Sequence, residues 1–161
     1  ALPISGERPA QTALRLSIAK AKSLQDKHPG TLIIGSDQVA DLAGHPVGKP
    51  MERHQARQQL QRMRGQSLVF HSGLAVLDTE SGRVQARVVP TTVRFRDFTD
   101  AEIDHYLDRE NALDCAGSAK VEGLGIALIA AVDSEDPTAL IGLPLIALGE
   151  MLRSEGVSVL S

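Results

Sequence analysis

Apolar residues recur three or four positions apart in several segments, a spacing that places them on one face of a helix. The first such segment begins at Pro9, a good residue for an initial helical turn, and is stopped by His28-Pro29-Gly30. A later one opens with a capping box, in which Thr99 and Glu102 can satisfy the first backbone amides. Four amphipathic helices are therefore predicted, over residues 9–26, 53–64, 100–109 and 144–155.

Shorter runs rich in β-branched residues separate these segments and are typical of strands. Leu32–Gln38 is such a run, and the chain then resumes the strand over residues 39–42 or bends into a hairpin. Residues 68–77 and 84–95 are joined by a turn-rich linker and predict a large hairpin. Two more strands are predicted, at residues 126–132 and, at an edge, 157–160.

Helices interspersed with strands, together with the antiparallel hairpin, indicate an α/β fold in which helices flank a mixed twisted sheet. A chain of 161 residues is long enough to bury a core as one domain. The single cysteine, Cys115, excludes an internal disulfide, which suits a cytoplasmic location. We expect Cys115 to behave as a small, partly buried apolar residue.

The net charge of −3 and the pI near 5.9 argue against binding to duplex nucleic acid, because such binding relies on a basic surface. No apolar run approaches the length of a membrane span. The chain has no Trp, one Tyr and three Phe, so aromatic stacking on bases is limited. Any base recognition must therefore rely mainly on polar and aliphatic groups.

Asp37 comes directly after an apolar run, and ligands of helix-covered sheets collect beyond the ends of such strands. It is a candidate for chemistry and, equally, a turn aspartate whose side chain closes the strand exit. Lys20 on the first helix and Lys49, held extended by Pro50, are by default solvated surface charges. Glu122 lies among three glycines, which would serve any turn, so by itself it is a solvent-facing acid.

Three segments together match one known pattern. They are Ser36-Asp37-Gln38 with Gly48-Lys49-Pro50, the block from Ala116 to Gly125, and Ile141-Gly142-Leu143-Pro144-Leu145. In combination they resemble the Maf nucleotide pyrophosphatases, and the resemblance is closest to the branch acting on 7-methyl-GTP. It runs over essentially the whole chain in the family's order, and it includes Arg15-Leu16 and Lys20-Ala21.

The resemblance implies a central nucleotide cleft and hydrolysis of a nucleoside triphosphate between its α- and β-phosphates, with Mg²⁺ or Mn²⁺ as cofactor. It places Asp37 at the position of the general base, with metal binding as an open alternative, and Lys20 and Lys49 at phosphate-region lysines. Gln38 and Glu122 fall at positions linked to the choice of base. The branch acting on dTTP and UTP has Thr and Gln there, so these two residues favour the methylated-guanine branch.

Family members also carry, ahead of the position matching Ala1, a strand, a loop with Ser and Arg, a helix and an acidic residue. We therefore expect residues 1–161 to be a single Maf-like domain that lacks part of the implied active site. The predicted partner is a nucleoside triphosphate, with a homodimer as a possible assembly. Two other interpretations stay open: a non-catalytic nucleotide-binding regulatory module linked to cell-division control, and an inosine-triphosphate pyrophosphatase with the same products.

Overall fold

The structure, a computed structural model, describes residues 4–161. In chain order the helices and strands of this part are α1 (Pro9–Lys22), β1 (Leu32–Leu42), β2 (His45–Val47), α2 (Arg53–Met63), β3 (Ser67–Asp78), β4 (Val84–Phe95), α3 (Asp100–Arg109), β5 (Ile129–Ser134) and α4 (Leu145–Ser154). The strands are ordered β2-β1-β3-β4-β5. None of the helices within residues 4–161 is long and apolar enough to cross a membrane.

Neighbouring strands of the sheet run antiparallel. β1 turns at Ala43-Gly44 into β2, so that Ala40 lies opposite Val47. β3 and β4 form the predicted hairpin, closed by a hydrogen bond of 2.9 Å from the amide of Asp78 to the carbonyl oxygen of Arg83. The α/β fold with flanking helices is confirmed, and antiparallel pairing refines the mixed sheet that was predicted.

The prediction was wrong at two places near the end of the chain. β5 begins at Ile129 rather than three residues earlier, because Leu124–Leu128 forms a 3-10 helical turn. The edge strand predicted at residues 157–160 is not formed. The amide of Val157 instead donates to the carbonyl oxygen of Leu152 at 2.9 Å, which satisfies one of the free carbonyls at the end of α4.

Tertiary contacts divide the chain into two compact units. The first comprises the described residues up to Gln38 together with His71–Thr91 and Ser134–Ser161, and the second comprises Val39–Phe70 and Thr92–Asp133. Among the predicted site residues, Lys20, Asp37 and Gln38 belong to the first unit, whereas Lys49 and Glu122 belong to the second.

In the first unit helices cover both faces of the strands, as the side chains of β3 demonstrate. Ala75 and Leu77 belong to the apolar cluster formed with α1, whereas Leu74 and Val76 belong to the cluster formed with α4. Successive side chains of a strand point to opposite faces, so one strand serves both clusters. This alternation decides which face each site residue of β1 occupies.

α1 lies close to the strands that it covers. A Cβ atom at Gly35 of β1 would lie 2.2 Å from the carbonyl oxygen of Ser17, and one at Gly73 of β3 would lie 2.4 Å from that of Ala13. Neither position could hold a side chain without moving the helix backbone. The distance between α1 and the strands is therefore set by the absence of two side chains.

In the second unit, ion pairs join α2 to α3. Nε of Arg57 lies 2.9 Å from Oδ1 of Asp104, and Nη2 of Arg64 lies 2.9 Å from Oδ1 of Asp100. The hydrogen bond from Arg57 lowers the pKa of Asp104, so this pair stays ionised at neutral pH. The Arg- and Gln-rich face of α2 is thus partly paired with the acids of α3.

Candidate active site

Asp37 and Lys20 form an ion pair in the first unit. Nζ of Lys20 donates to Oδ1 of Asp37 at 2.6 Å and to the carbonyl oxygen of Ser36 at 3.0 Å. The Asp37 side chain is 18% exposed and that of Lys20 is 57% exposed, so the carboxylate is sheltered while the ammonium group faces solvent. Asp37 lies inside β1 rather than in a turn, so its alternative role in closing a strand exit does not apply.

The alternation along β1 explains why Asp37 meets α1. Ile33 packs in the cluster formed with α1, and Gly35 contacts that helix directly. Asp37 follows at the next position of the same face. Because α1 approaches so closely at Gly35, a lysine one turn further along the helix reaches the carboxylate.

Gln38 points to the opposite face of β1, towards residues 139–142. Its Nε2 lies 3.0 Å from the carbonyl oxygen of Ala139 and 3.1 Å from that of Leu140. The amide donors of Gln38 are therefore directed at backbone carbonyls within the same unit.

Arg15, a second cation of α1, is bound to Glu7. Nε and Nη2 of Arg15 donate to the two carboxylate oxygens of Glu7 at 2.7 and 2.9 Å, and the Thr12 hydroxyl donates to Glu7 at 2.9 Å. The hydrogen bond from Arg15 is the main cause that lowers the pKa of Glu7 to about 2. The bond to Glu7 also raises the pKa of Arg15, and the charge of Asp37 acts in the same direction. Arg15 therefore remains a fixed positive charge.

Lys49 lies in the second unit on the segment between β2 and α2. The carbonyl oxygen of Gly48 accepts hydrogen bonds from Nε2 of Gln59 at 3.0 Å and from the amide of Gly117 at 3.3 Å. Pro50 is buried, whereas Lys49 is exposed. The side chain of Lys49 therefore extends from a backbone that is anchored on both sides.

Glu122 is exposed on the glycine-rich block, in a turn that Glu110 organises. The carboxylate of Glu110 accepts from Nζ of Lys120 at 3.1 Å and from the amide of Leu124 at 3.0 Å. These bonds, first that from Leu124 and then that from Lys120, lower the pKa of Glu110. A Cβ atom at Gly123 would lie 2.3 Å from Glu110 Oε2, so the glycine leaves room for the carboxylate.

Asp136, between β5 and α4, is a buried acid that is only 3% exposed. Its Oδ1 accepts from the amide and hydroxyl of Thr138 at 2.9 and 2.6 Å, and its Oδ2 accepts from the amide of Ile146 at 2.8 Å. Burial alone would raise the pKa of Asp136, but these bonds, with one from Ala147, hold it below its ordinary value. Asp136 thus caps α4 from a distant position that no local capping pattern indicates.

The site could hold a divalent cation only if the substrate supplied some of the ligands. Within residues 4–161 there is no group of three or more His, Cys, Asp or Glu side chains arranged to hold a metal. Mg²⁺ commonly takes one or two carboxylates and completes its coordination with substrate phosphates and water. Asp37 is the carboxylate that fits this role, because it is sheltered and its neighbours Lys20 and Arg15 would also attract phosphate.

The structure brings together some of the predicted site residues. Lys20 and Asp37 are in direct contact, and Gln38 occupies the other face of the same strand. Lys49 and Glu122 belong to segments of the second unit that the Gly117–Gly48 hydrogen bond joins. No pattern in the sequence indicated the roles of Glu110 and Asp136.

These features define an α/β protein whose polar side chains gather near the middle of one strand, with a carboxylate beside fixed cations. A family profile described as Maf-like protein matches residues 2–155, and the chain belongs to the Maf family. The match includes both compact units.

The chain is also similar to several curated proteins named 7-methyl-GTP pyrophosphatase. It is 56% identical over 154 residues to one from Cupriavidus pinatubonensis, covering 96% of this chain and 77% of the relative. The corresponding protein of Methylobacillus flagellatus is 54% identical over 158 residues, covering 98% and 82%. That of Aromatoleum aromaticum is 52% identical over 155 residues, covering 96% and 80%.

Proposed function

We propose that the protein is a nucleoside triphosphate pyrophosphatase that hydrolyses 7-methyl-GTP to the monophosphate and pyrophosphate. The similarity to proteins of that name supports the substrate. The observation that carries the chemistry is the sheltered carboxylate of Asp37 held beside the Lys20 ammonium group at 2.6 Å. Cleavage of a phosphoanhydride needs one group to direct water and cations to neutralise the charge that spreads over phosphate oxygens.

Asp37 is the group that we assign to the attacking water. A carboxylate can accept a proton from water, or it can bind the cation that makes the water acidic. Its rigid setting in β1, with α1 packed against the strand, supplies the positional precision that either role requires. We propose the general base as its primary role.

Lys20 and Lys49 are the residues that we assign to the phosphates. Lys20 neutralises Asp37, and its exposed ammonium group can transfer its hydrogen bonds to an arriving phosphate oxygen. Lys49 extends from an anchored segment and is open to solvent. Arg15 adds a permanent positive charge on α1, although its guanidinium is bound to Glu7.

Glu122 is the residue that we assign to direct contact with the base, and Gln38 is assigned an indirect influence on the choice of base. A carboxylate can accept the N–H groups on the Watson–Crick edge of guanine. It also favours the positive charge that methylation at N7 places on the ring. The exposed position of Glu122 on a fixed turn is suited to this contact.

A divalent cation, Mg²⁺ or Mn²⁺, belongs to the proposal, and metal binding by Asp37 is the alternative to its role as the general base. When bound, the cation would withdraw charge from the phosphate oxygens. We further propose that the protein acts in the cytoplasm on a free nucleotide, independently of membranes and duplex nucleic acid.

The test is a panel of 7-methyl-GTP, GTP, ITP, UTP and dTTP with Mg²⁺ or Mn²⁺, in which pyrophosphate and orthophosphate are measured separately. The proposal predicts equal amounts of pyrophosphate and monophosphate, with the highest kcat/KM for 7-methyl-GTP. Orthophosphate as the first product would contradict cleavage between the α- and β-phosphates. A higher kcat/KM for ITP would contradict 7-methyl-GTP as the preferred substrate. Nucleotide binding without any turnover would instead support a regulatory module.

A further inference from the structure

The side-chain amide of Gln38 is surrounded by hydrogen-bond acceptors. Its Nε2 lies 3.0 Å from Oγ of Ser72, 3.0 Å from the carbonyl oxygen of Ala139 and 3.1 Å from that of Leu140. An amide nitrogen carries two hydrogens, so three acceptors occupy its entire donor capacity. This nitrogen has no hydrogen left to donate to a nucleobase.

Two serines direct their hydroxyl groups at the same stretch of backbone. Oγ of Ser72, a fully buried residue of β3, donates to the carbonyl oxygen of Ala139 at 2.7 Å. Oγ of Ser36 lies 2.9 Å from the carbonyl oxygen of Gly142 and 2.8 Å from that of Gly73. Adjacent strands therefore hold the segment through its carbonyl groups.

The segment Ala139–Gly142, which we call the clamped turn, needs such support. Ala139–Ile141 is a single 3-10 turn, and Gly142 has a φ of 127°, a backbone angle that residues other than glycine rarely adopt. Ala139 is buried in the cluster formed with α4, whereas Ile141 is 67% exposed. Short turns of this kind have little stability of their own, so the side chains of β1 and β3 hold it in place.

Strand alternation separates this network from the Lys20–Asp37 pair. Asp37 points to the face that α1 covers, and its neighbour Gln38 points to the clamped turn. Because Nε2 of Gln38 is committed to these acceptors, the side chain has no N–H group available to donate to a base.

We infer that Gln38 is a positioning residue that acts through the clamped turn, with Ser72 as its partner, rather than a residue that reads the base. The inference rests on the proposed function only where turnover is measured. Removing either partner takes one donor from the carbonyl group of Ala139, and removing Gln38 also takes one from that of Leu140, so the turn opens more often. The effects of the two substitutions should then have the same cause, so they should not be additive.

The experiment compares Gln38→Met, Ser72→Ala and the double variant in the full chain by hydrogen exchange and by kcat/KM. Methionine keeps the length of the side chain but has no amide. We expect amide exchange in residues 138–143 to rise about tenfold in each single variant. We also expect kcat/KM for 7-methyl-GTP to fall in each single variant. The kcat/KM of the double variant should lie within about twofold of that of the less active single variant.

Gln85→Met is the matched control, because Nε2 of Gln85 also donates to a backbone carbonyl of this unit, that of Met151 at 3.2 Å. It should leave exchange in residues 138–143 and the kcat/KM unchanged. Unchanged exchange in Gln38→Met would overturn the inference, as would losses of kcat/KM that multiply in the double variant. Faster exchange in a protein that turns over no nucleotide would leave the inference intact and refute the proposed function.

Discussion

Gly35→Ala tests whether the close approach of α1 both stabilises the fold and sets the site. The added Cβ would lie 2.2 Å from the carbonyl oxygen of Ser17 and 2.8 Å from the amide nitrogen of Ala21. Ordinary contact between such atoms requires about 3.5 Å, so the helix must retreat by about 1 Å. Overpacking of this kind costs about 1–3 kcal/mol.

The same displacement should reduce turnover. α1 carries Lys20, whose Nζ lies 2.6 Å from Oδ1 of Asp37. A misplacement of about 1 Å can cost about 10²-fold in rate, so we expect a loss of that order in kcat/KM for 7-methyl-GTP. The free energy of unfolding of a domain is about 5–15 kcal/mol, so the variant should still be folded when it is assayed.

Urea unfolding and pyrophosphate release measure the two effects on the same preparation. The matched control is Gly149→Ala in α4, where the new Cβ would lie 3.4 Å from Nη1 of Arg153. Alanine favours helix, so this control should be more stable by about 0.5–1 kcal/mol and equally active. Wild-type stability in Gly35→Ala would refute the close approach, and lower stability with full activity would refute its role in positioning Lys20.

Three further predictions concern single charges. Lys20→Met should raise KM and lower kcat for all triphosphates in steady-state kinetics. Lys22→Met, at an exposed position of the same helix, should change neither. Equal effects of the two substitutions would contradict the assignment of Lys20 to the phosphates. Glu122→Gln should lower kcat/KM more for 7-methyl-GTP than for UTP. Equal losses for the two nucleotides would contradict a contact between Glu122 and the base. Asp136→Asn should destabilise the fold by about 1–3 kcal/mol, because an amide group would face backbone N–H donors. The pKa of Asp136 is lower in the folded than in the unfolded chain, so its stabilisation is complete above about pH 4 and is lost as the pH falls through the folded value. Unfolding titrations between pH 6 and pH 2 should therefore show a steeper loss in the wild type than in Asp136→Asn, and parallel curves would contradict the cap.

The sequence allowed prediction of features that depend on nearby residues. The helix opened by Thr99 and Glu102 formed as predicted, because a capping box and an apolar face are local properties. The strand predicted at residues 126–132 failed because its first apolar residues fold into a 3-10 turn. The edge strand at residues 157–160 failed because the amide of Val157 is bonded to the carbonyl oxygen of Leu152 and closes the end of α4.

The site needed contacts that no pattern in the sequence reveals. Lys20 and Asp37 are 17 positions apart and meet because α1 packs against two glycines. The opposite faces of Asp37 and Gln38 follow from strand alternation, yet the partner of Gln38 is a turn about 100 residues away. Glu110 was not identified because its role depends on a loop that returns to it.

Pyrophosphate release by Asp37→Asn with Mg²⁺ tests most directly whether Asp37 drives hydrolysis of 7-methyl-GTP. The amide keeps the shape of the side chain but can neither accept a proton from water nor bind a cation as a carboxylate does. Asp26→Asn, at an exposed position, is the matched control and should retain full activity. We expect Asp37→Asn to keep the wild-type unfolding midpoint and to lose about 10²–10⁴-fold in kcat. A folded Asp37→Asn variant that releases pyrophosphate at the wild-type rate would show that Asp37 does not drive the reaction.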